Sequence, residues 1–347
     1  MSADSPLPRT AADKPWFAWF CGGALLWTLL VFQAGGFTTS IGAGMAFLDW
    51  PLSNGSVNPA GWLSESDKFA EHSHRLLATI QGLLTLAVAG GLLCFESRIW
   101  LRRLGLGAVG LVVFQGLLGG LRVLLDQQNT GREDNVVATA FRVAHGVTAQ
   151  VYLCVMVAIA LAVSRRWITR HGGLVREPSR ALRRAGLIAC GVVIVQLVLG
   201  AIMRHNHAGL AIPTFPLAAE GTLVPDHWDF RVAVHFAHRA WALVVAAALV
   251  YFAGRLWAAR HLGGVLAVGA TALMGLLALQ AYLGALVIWT YRNPHAATMH
   301  VLTGAFLLAT CWSLTFLCHR FRFADAPPKA ARNTTEETAS TASAIRA

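Results

Sequence analysis

Charge is scarce in this sequence. Asp, Glu, Lys and Arg make up 13% of its 347 residues, about half the share of an ordinary soluble domain. Acidic residues are rarest, 17 against 28 Lys and Arg, while hydrophobic types reach 56% and the mean hydropathy is +0.55. Such a chain has too little polar surface to wrap its apolar side chains in water. This excludes a soluble globular protein and points to one that crosses a membrane many times. The net charge of +11 is not a nucleic-acid signal, because the basic residues fall in short clusters between apolar runs, where they orient helices across a bilayer.

Polar-loop cysteines are absent. Cys21, Cys94, Cys154, Cys190, Cys311 and Cys318 lie in or beside apolar runs, and no CxxC pair exists, which excludes a disulfide framework and a thiolate metal site. Prolines fall mainly in loops, which argues against the broken helices of a transporter.

Long apolar runs are what the sequence has. Eight are of spanning length, near 16–34, 75–95, 104–125, 141–164, 183–203, 234–257, 263–289 and 297–318. The first lacks a small-residue cleavage site and is followed by the bulky Phe37, so it reads as a retained helix. Most Lys and Arg lie in the N-terminus, 96–103, 165–184, 255–261 and the tail, which places both termini in the cytoplasm by the positive-inside rule. The expected organisation is a cytoplasmic N-terminus (1–15), a four-helix half (16–164), a basic cytoplasmic linker (165–182), a second four-helix half (183–320) and a disordered tail (321–347).

An internal repeat appears at an offset of 165. Ala43-Gly44-Met45-Ala46-Phe47-Leu48-Asp49-Trp50-Pro51-Leu52 aligns with Ala208-Gly209-Leu210-Ala211-Ile212-Pro213-Thr214-Phe215-Pro216-Leu217, and Gln115-x-x-x-Gly119 with Gln280-x-x-x-Gly284. At 164, His74-Arg75 falls on His238-Arg239 and Glu71 on His235. Four helices per copy give both copies the same orientation. The expected fold is therefore an all-α membrane protein of two tandem four-helix bundles, related by pseudo-twofold symmetry along the membrane normal.

Ionisable groups within apolar helices are costly and are functional candidates by default. His74, His145, His238 and His300 lie near the starts of helices two, four, six and eight, so all four share one side of the membrane. Facing histidines from separate helices can hold a haem iron from both sides, and a bis-histidine haem site is expected in at least one half. Iron or zinc without porphyrin fits less well, since no carboxylate or thiolate cluster accompanies them.

The halves differ at Glu71, three residues before His74 and on the same helical face. A carboxylate beside a haem could move protons to or from a substrate or oxygen species, so the N-terminal half is the expected catalytic half and Glu71 the catalytic residue. The alternative is that Glu71 caps helix two or pairs with Arg75. Arg75 and Arg239 are placed to hold haem propionates or to snorkel. His72, about 160° round the helix from His74, is expected to look outward. The Gln-x-x-x-Gly pattern at Gln115, Gln196 and Gln280, with a looser version at Gln33, is explained by helix packing. Asp49-Trp50-Pro51 is expected to form a lid over the outer end of the bundle.

Taken together, Gly35-Gly36-Phe37-Thr38, Gly42-Ala43-Gly44, Asp49-Trp50-Pro51-Leu52, Glu71-His72-Ser73-His74-Arg75, His145, His238-Arg239 and His300 resemble the haem A synthases of aerobic bacteria and mitochondria. The resemblance covers about 16 to 320. It implies oxidation of the C8 methyl group of haem O to a formyl group by successive hydroxylations, through a geminal diol that loses water. It further implies haem B as cofactor on His238 and His300, relaying electrons, and the substrate haem at His74 and His145 beside Glu71. All four histidines would then be iron ligands. Implied partners are haem O, membrane lipid, haem O synthase and terminal oxidase assembly factors, with a homo-oligomer left open and no nucleic acid. The implied location is the inner (cytoplasmic) membrane. Some members carry cysteines where Phe47 and Ser53 stand, and many an arginine where Thr39 stands. The alternative from another class is a non-catalytic di-haem b-type electron carrier, which has no need of a carboxylate in one half only. Haem O synthase itself is disfavoured because no aspartate-rich diphosphate motif is present.

Overall fold

A computed structural model of the protein describes residues 14–128, 136–218 and 221–323. The expectations for the first residues and for the tail beyond 323 fall outside these. Within them lie eight helices long and apolar enough to cross a membrane: α1 (Pro15–Ser40), α2 (Ser66–Phe95), α3 (Ile99–Gln128), α4 (Val136–Val163), α5 (Arg180–His205), α6 (Phe230–Ala258), α7 (Gly264–Trp289) and α8 (Pro294–Cys318). All but α7 begin before their apolar runs, by one to nine residues. Pro15 and Pro294 open α1 and α8, where a missing N–H costs nothing. Ser179, Asp229 and Asn293 cap α5, α6 and α8 by accepting the N–H groups of Leu182, Val232 and His295. The histidines accordingly lie about two turns inside their helices rather than at the very start.

The helices close into two rings: α1 packs on α2 and α4, and α3 on both α2 and α4; α5 to α8 repeat the arrangement. Between the rings, α1 meets α8, α4 meets α5, and α4 meets α8. Exchanging the halves turns the first contact into the second and leaves the third unchanged, which is the pattern a twofold axis produces. The seam is the most enclosed part of the molecule, with 50% of the apolar window of α4 and 61% of that of α8 buried, against 22–28% in most of the others.

One end of the bundle carries the long loops 41–65 and 206–229, and the other the linker 164–179. At the linker end a short helix, Arg165–Arg170, docks on the end of α8: Trp167 stacks on Phe316 with ring centroids 4.6 Å apart, and Arg320 Nε donates to Trp167 O at 3.0 Å. All six cysteines are free.

Candidate haem sites at the loop end

Each histidine faces a glycine of a neighbouring helix. A Cβ added to Gly35 would lie 2.7 Å from His74 Cε1; at Gly119, Gly200 and Gly284 it would lie 3.1, 3.0 and 3.1 Å from Cε1 of His145, His238 and His300. The two sets are related by the same offset of 165. In each case the carbonyl four residues before the glycine is the ring's backbone neighbour. Gln115 O is 3.2 Å from His145 Nδ1. Val31, Gln196 and Gln280 stand in the same relation to His74, His238 and His300, whose buried Nδ1 atoms fall outside hydrogen-bond geometry. Within each half the two imidazoles lie in electrostatic range of each other, His74 with His145 and His238 with His300.

The glutamines of the Gln-x-x-x-Gly pattern touch the histidines as well as packing the helices. Gln115 Nε2 donates to His145 O at 3.0 Å, and Gln196 Nε2 to His238 O at 3.1 Å. Gln196 Nε2 and Gln280 Nε2 also lie 3.3 Å from Nε2 of His238 and His300. Gln33, the looser match, leaves its Oε1 buried without a partner.

Glu71 is 4% exposed and both its oxygens are engaged: Oε2 accepts Phe47 N–H at 3.0 Å, and Oε1 accepts Arg75 Nη2 at 2.6 Å. Arg75 also donates to the carbonyls of Phe47, Asp49 and Leu52 at 3.2, 2.8 and 2.5 Å. The second half repeats this anchor. His235 places Nδ1 3.2 Å from Ile212 N and Nε2 3.0 Å from Arg239 Nε, one of the two as acceptor, and Arg239 donates to Ile212 O and Thr214 O at 2.9 and 2.7 Å. Both arginines therefore hold loops down. His72 does not look outward as expected: it is 3% exposed, with Nδ1 3.0 Å from Ser53 Oγ and its ring against Trp62. The folded-back loop supplies the cover that helical geometry alone cannot anticipate.

The loop does lie over the end of the bundle. Trp50 packs flat enough on Gly120 of α3 that a Cβ there would overlap its ring. Asp49 accepts Asn54 N–H and Gly55 N–H, both at 2.7 Å. Desolvation raises its carboxyl pKa, but these two N–H groups and Arg75 outweigh it, leaving it below the usual aspartate value.

Three charged groups went unremarked in the sequence reading. Arg122 and Asp126 of α3 and Arg142 of α4 cluster one to two turns beyond His145: Asp126 oxygens lie 3.7 Å from Arg122 Nε and 3.6 Å from Arg142 Nη2, and Arg122 donates to Gly44 O. Their stripe continues Gln115-x-x-x-Gly119 at helical spacing, which is the signal that would have found them. His205, at the end of α5, comes within electrostatic range of Arg122, Arg142 and His145, while Arg204, aligned with Thr39, donates to Gly36 O and Ser40 Oγ of α1 at 2.7 and 2.8 Å. His207 is a left-handed turn residue.

Two turns nearer the linker end, the first half holds a buried polar string: Thr28 donates to Gln81, Gln81 donates to Tyr152 Oη at 2.7 Å, and Thr85 Oγ1 lies 2.6 Å from Tyr152 Oη. The aligned positions are Val193, Val245, Leu249 and Leu307, all buried. The asymmetry between the halves thus extends well below Glu71.

Each half can therefore offer two half-buried imidazoles from different helices, each in a glycine seat too close for a side chain. Among the described residues no group of three or more His, Cys, Asp or Glu could hold a bare metal ion. The donor set suits a planar cofactor ligated from both faces, with orphaned Nδ1 atoms and backbone carbonyls on the side away from Nε2.

The model of a family described as cytochrome oxidase assembly protein, COX15-CtaA, matches residues 18–312. A haem A synthase of Geobacillus kaustophilus is 28% identical over 334 residues, which cover 92% of this chain and 96% of that one. One from Methylobacterium radiotolerans is 28% identical, covering 86% and 89%. One from Symbiobacterium thermophilum is 31% identical, covering 78% and 83%.

Proposed function

The chain belongs to the COX15-CtaA family of cytochrome oxidase assembly proteins, and from that premise we propose how its two halves divide the work of a haem A synthase. It is a multi-pass membrane oxidoreductase that converts haem O to haem A, oxidising the C8 methyl carbon to a formyl group. The observation that carries the division of roles is the pairing of two seated histidines per half, combined with the Glu71 carboxylate, the Arg122–Asp126–Arg142 cluster and the Thr28–Gln81–Tyr152 string, whose aligned positions in the second half carry other residues.

In this reading His238 and His300 hold haem B, and His74 and His145 hold the substrate haem. When bound, haem B supplies a redox-active iron. The protein's own contributions are positional. Gly200 and Gly284 let the two imidazoles lie against the helix backbones, and Gln196 ties α5 to the backbone of the ligand helix by donating to His238 O. In the first half Gly35 and Gly119 seat the ligating rings. Glu71 acts from one turn outward of His74: through Phe47 N–H and Arg75 it holds the 43–56 loop over the site, excluding bulk water. Glu71 is thus a positioning residue. The methyl carbon is hydroxylated twice and the geminal diol loses water. In this reading the protein lies in the inner membrane with both termini in the cytoplasm and the four histidines toward the outer face, a placement that the basic linker at the opposite end supports.

The test is mass spectrometry of haems extracted from the purified protein, co-expressed with a haem O synthase in a host lacking its own haem A synthase. Haem A or its hydroxylated precursor beside haem B is the expected result. Haem B alone, near two per chain with haem O supplied, would return the protein to the class of electron carriers.

A further inference from the structure

We infer that Arg122 and Arg142 form a carboxylate-recognition site that holds the propionates of the tetrapyrrole bound in the N-terminal half. This rests on the assignment of His74 and His145 to the substrate haem.

The argument begins on two helical faces. On α3, Gln115, Gly119, Arg122 and Asp126 follow one another at spacings of four, three and four residues, so they form one stripe. Gly119 meets the His145 ring and Gln115 meets His145 O, which fixes that stripe on the haem site. On α4, Arg142 stands one turn beyond His145 in the same direction. Both guanidiniums therefore sit about 5 Å further toward the loop end than the imidazoles they follow. Arg122 is in electrostatic range of both His74 and His145.

The cluster is positively charged and its ion pairs are long. Two guanidiniums share the single carboxylate of Asp126 at 3.6–3.7 Å, well beyond the 2.7–2.9 Å of a charge-assisted hydrogen bond, while one Nη2 of each is held by a neutral acceptor, Gly44 O for Arg122 and Thr139 Oγ1, at 3.1 Å, for Arg142. The Nε atoms of both arginines and Asp126 Oδ2 are buried without hydrogen-bond partners. The side chains are only 21% and 25% exposed, so water compensates little. His205 adds a further imidazole within electrostatic range of both. A tetrapyrrole gripped through its iron by His74 and His145 presents carboxylates at its edge, and two forked donors one turn outward match them.

The second half lacks this arrangement. The positions aligned with Arg122, Asp126 and Arg142 are Val287, Tyr291 and Ala297. Its outer-loop glycine, Gly209, instead meets Arg292, which comes from the turn after α7. The triad therefore discriminates between the halves and bears on which tetrapyrrole each one accepts.

The test uses full-length protein purified with haem B in place. Haem O and its dipropionate dimethyl ester are titrated separately and followed by visible absorption, with wild type, R122Q, R142Q and the charge-keeping R122K. Wild type should bind the free acid about tenfold more tightly than the ester. R122Q and R142Q should each remove most of that preference, by weakening the acid and leaving the ester unchanged, while R122K should retain part of it. R142Q and R122K keep the test open if R122Q does not fold. An acid preference undiminished in R122Q and R142Q overturns the inference. A His74→Ala control separates this from a failure of the underlying assignment: if that variant takes up both ligands as wild type does, the haem is not at His74, and the assignment and the inference fall together.

Discussion

Glu71 and His235 do the same mechanical work in the two halves. Each faces the N–H of the residue that starts the outer loop's descent, Phe47 or Ile212, and the guanidinium of the arginine four residues later. The sequence difference that marks the first half as special is therefore a change of chemistry within a shared anchor. A carboxylate can accept both bonds through its two oxygens; a neutral imidazole has one acceptor nitrogen and can accept only one of the two.

This relationship separates two roles in one experiment. Glu71→His rebuilds the anchor of the second half, whereas Glu71→Gln keeps the shape and removes the charge. If charge is required, both variants lose at least about tenfold in haem A output while haem B content stays intact. Equal output from Glu71→His and wild type in the co-expression assay would reduce Glu71 to an anchor.

The ligand assignment predicts a division of haem loss. His238→Ala or His300→Ala should deplete haem B from the purified protein, as read from the pyridine haemochrome spectrum. His74→Ala or His145→Ala should spare haem B and abolish the haem O and haem A signals. Full haem B retention in both His238 and His300 variants sinks the assignment.

The glycine seats should be as sensitive as the ligands. A methyl group at Gly200 or Gly284 must push its histidine aside, at an overpacking cost of about 1–3 kcal/mol. Gly200→Ala and Gly284→Ala should therefore lower haem B occupancy. Gly191→Ala, at a position with nothing within 4 Å of the added carbon, is the control and should leave occupancy unchanged.

Tyr152→Phe removes the shared partner of Gln81 and Thr85. Buried groups left without a hydrogen bond cost about 1–3 kcal/mol, so the variant should unfold at lower temperature in detergent. Leu307→Phe, at the aligned site, removes no hydrogen bond and probes packing alone. Similar shifts for the two would mean that the polar string carries no special weight.

Asp49 gives a pH prediction outside the membrane. Its folded-state pKa lies below the ordinary value, so its stabilisation of the 49–55 turn is present above the unfolded value and is lost as pH falls through the folded one. Proteolytic nicking of this loop should accelerate toward pH 3 in wild type and depend less on pH in Asp49→Asn.

Much of this was legible in the chain itself. Eight runs became eight helices because hydrophobic length is a local property, and the four histidines were found because ionisable groups stand out against apolar neighbours. Their glycine seats were half legible: Gln-x-x-x-Gly repeats at the offset of 165, but only packing shows that Gly119, Gly200 and Gly284 face rings, and Gly35 lacks the glutamine. His72 was misjudged because its cover comes from Ser53 and Trp62, on a loop whose course periodicity does not determine. Arg122 and Arg142 did not stand out, since their common neighbour Asp126 pairs with them across two helices.

Arg204 gives the duplication a direction. It reaches from α5 to Gly36 O and Ser40 Oγ of α1, while its counterpart Thr39 bonds only its own helix, at Gly35 O. Two copies of the C-terminal half placed around the same axis would bring two guanidiniums to the seam with no carboxylate to neutralise them, and two copies of the N-terminal half would bring none. Only the mixed pair sets one donor against one waiting helix end. At this point of the seam the halves are complementary parts.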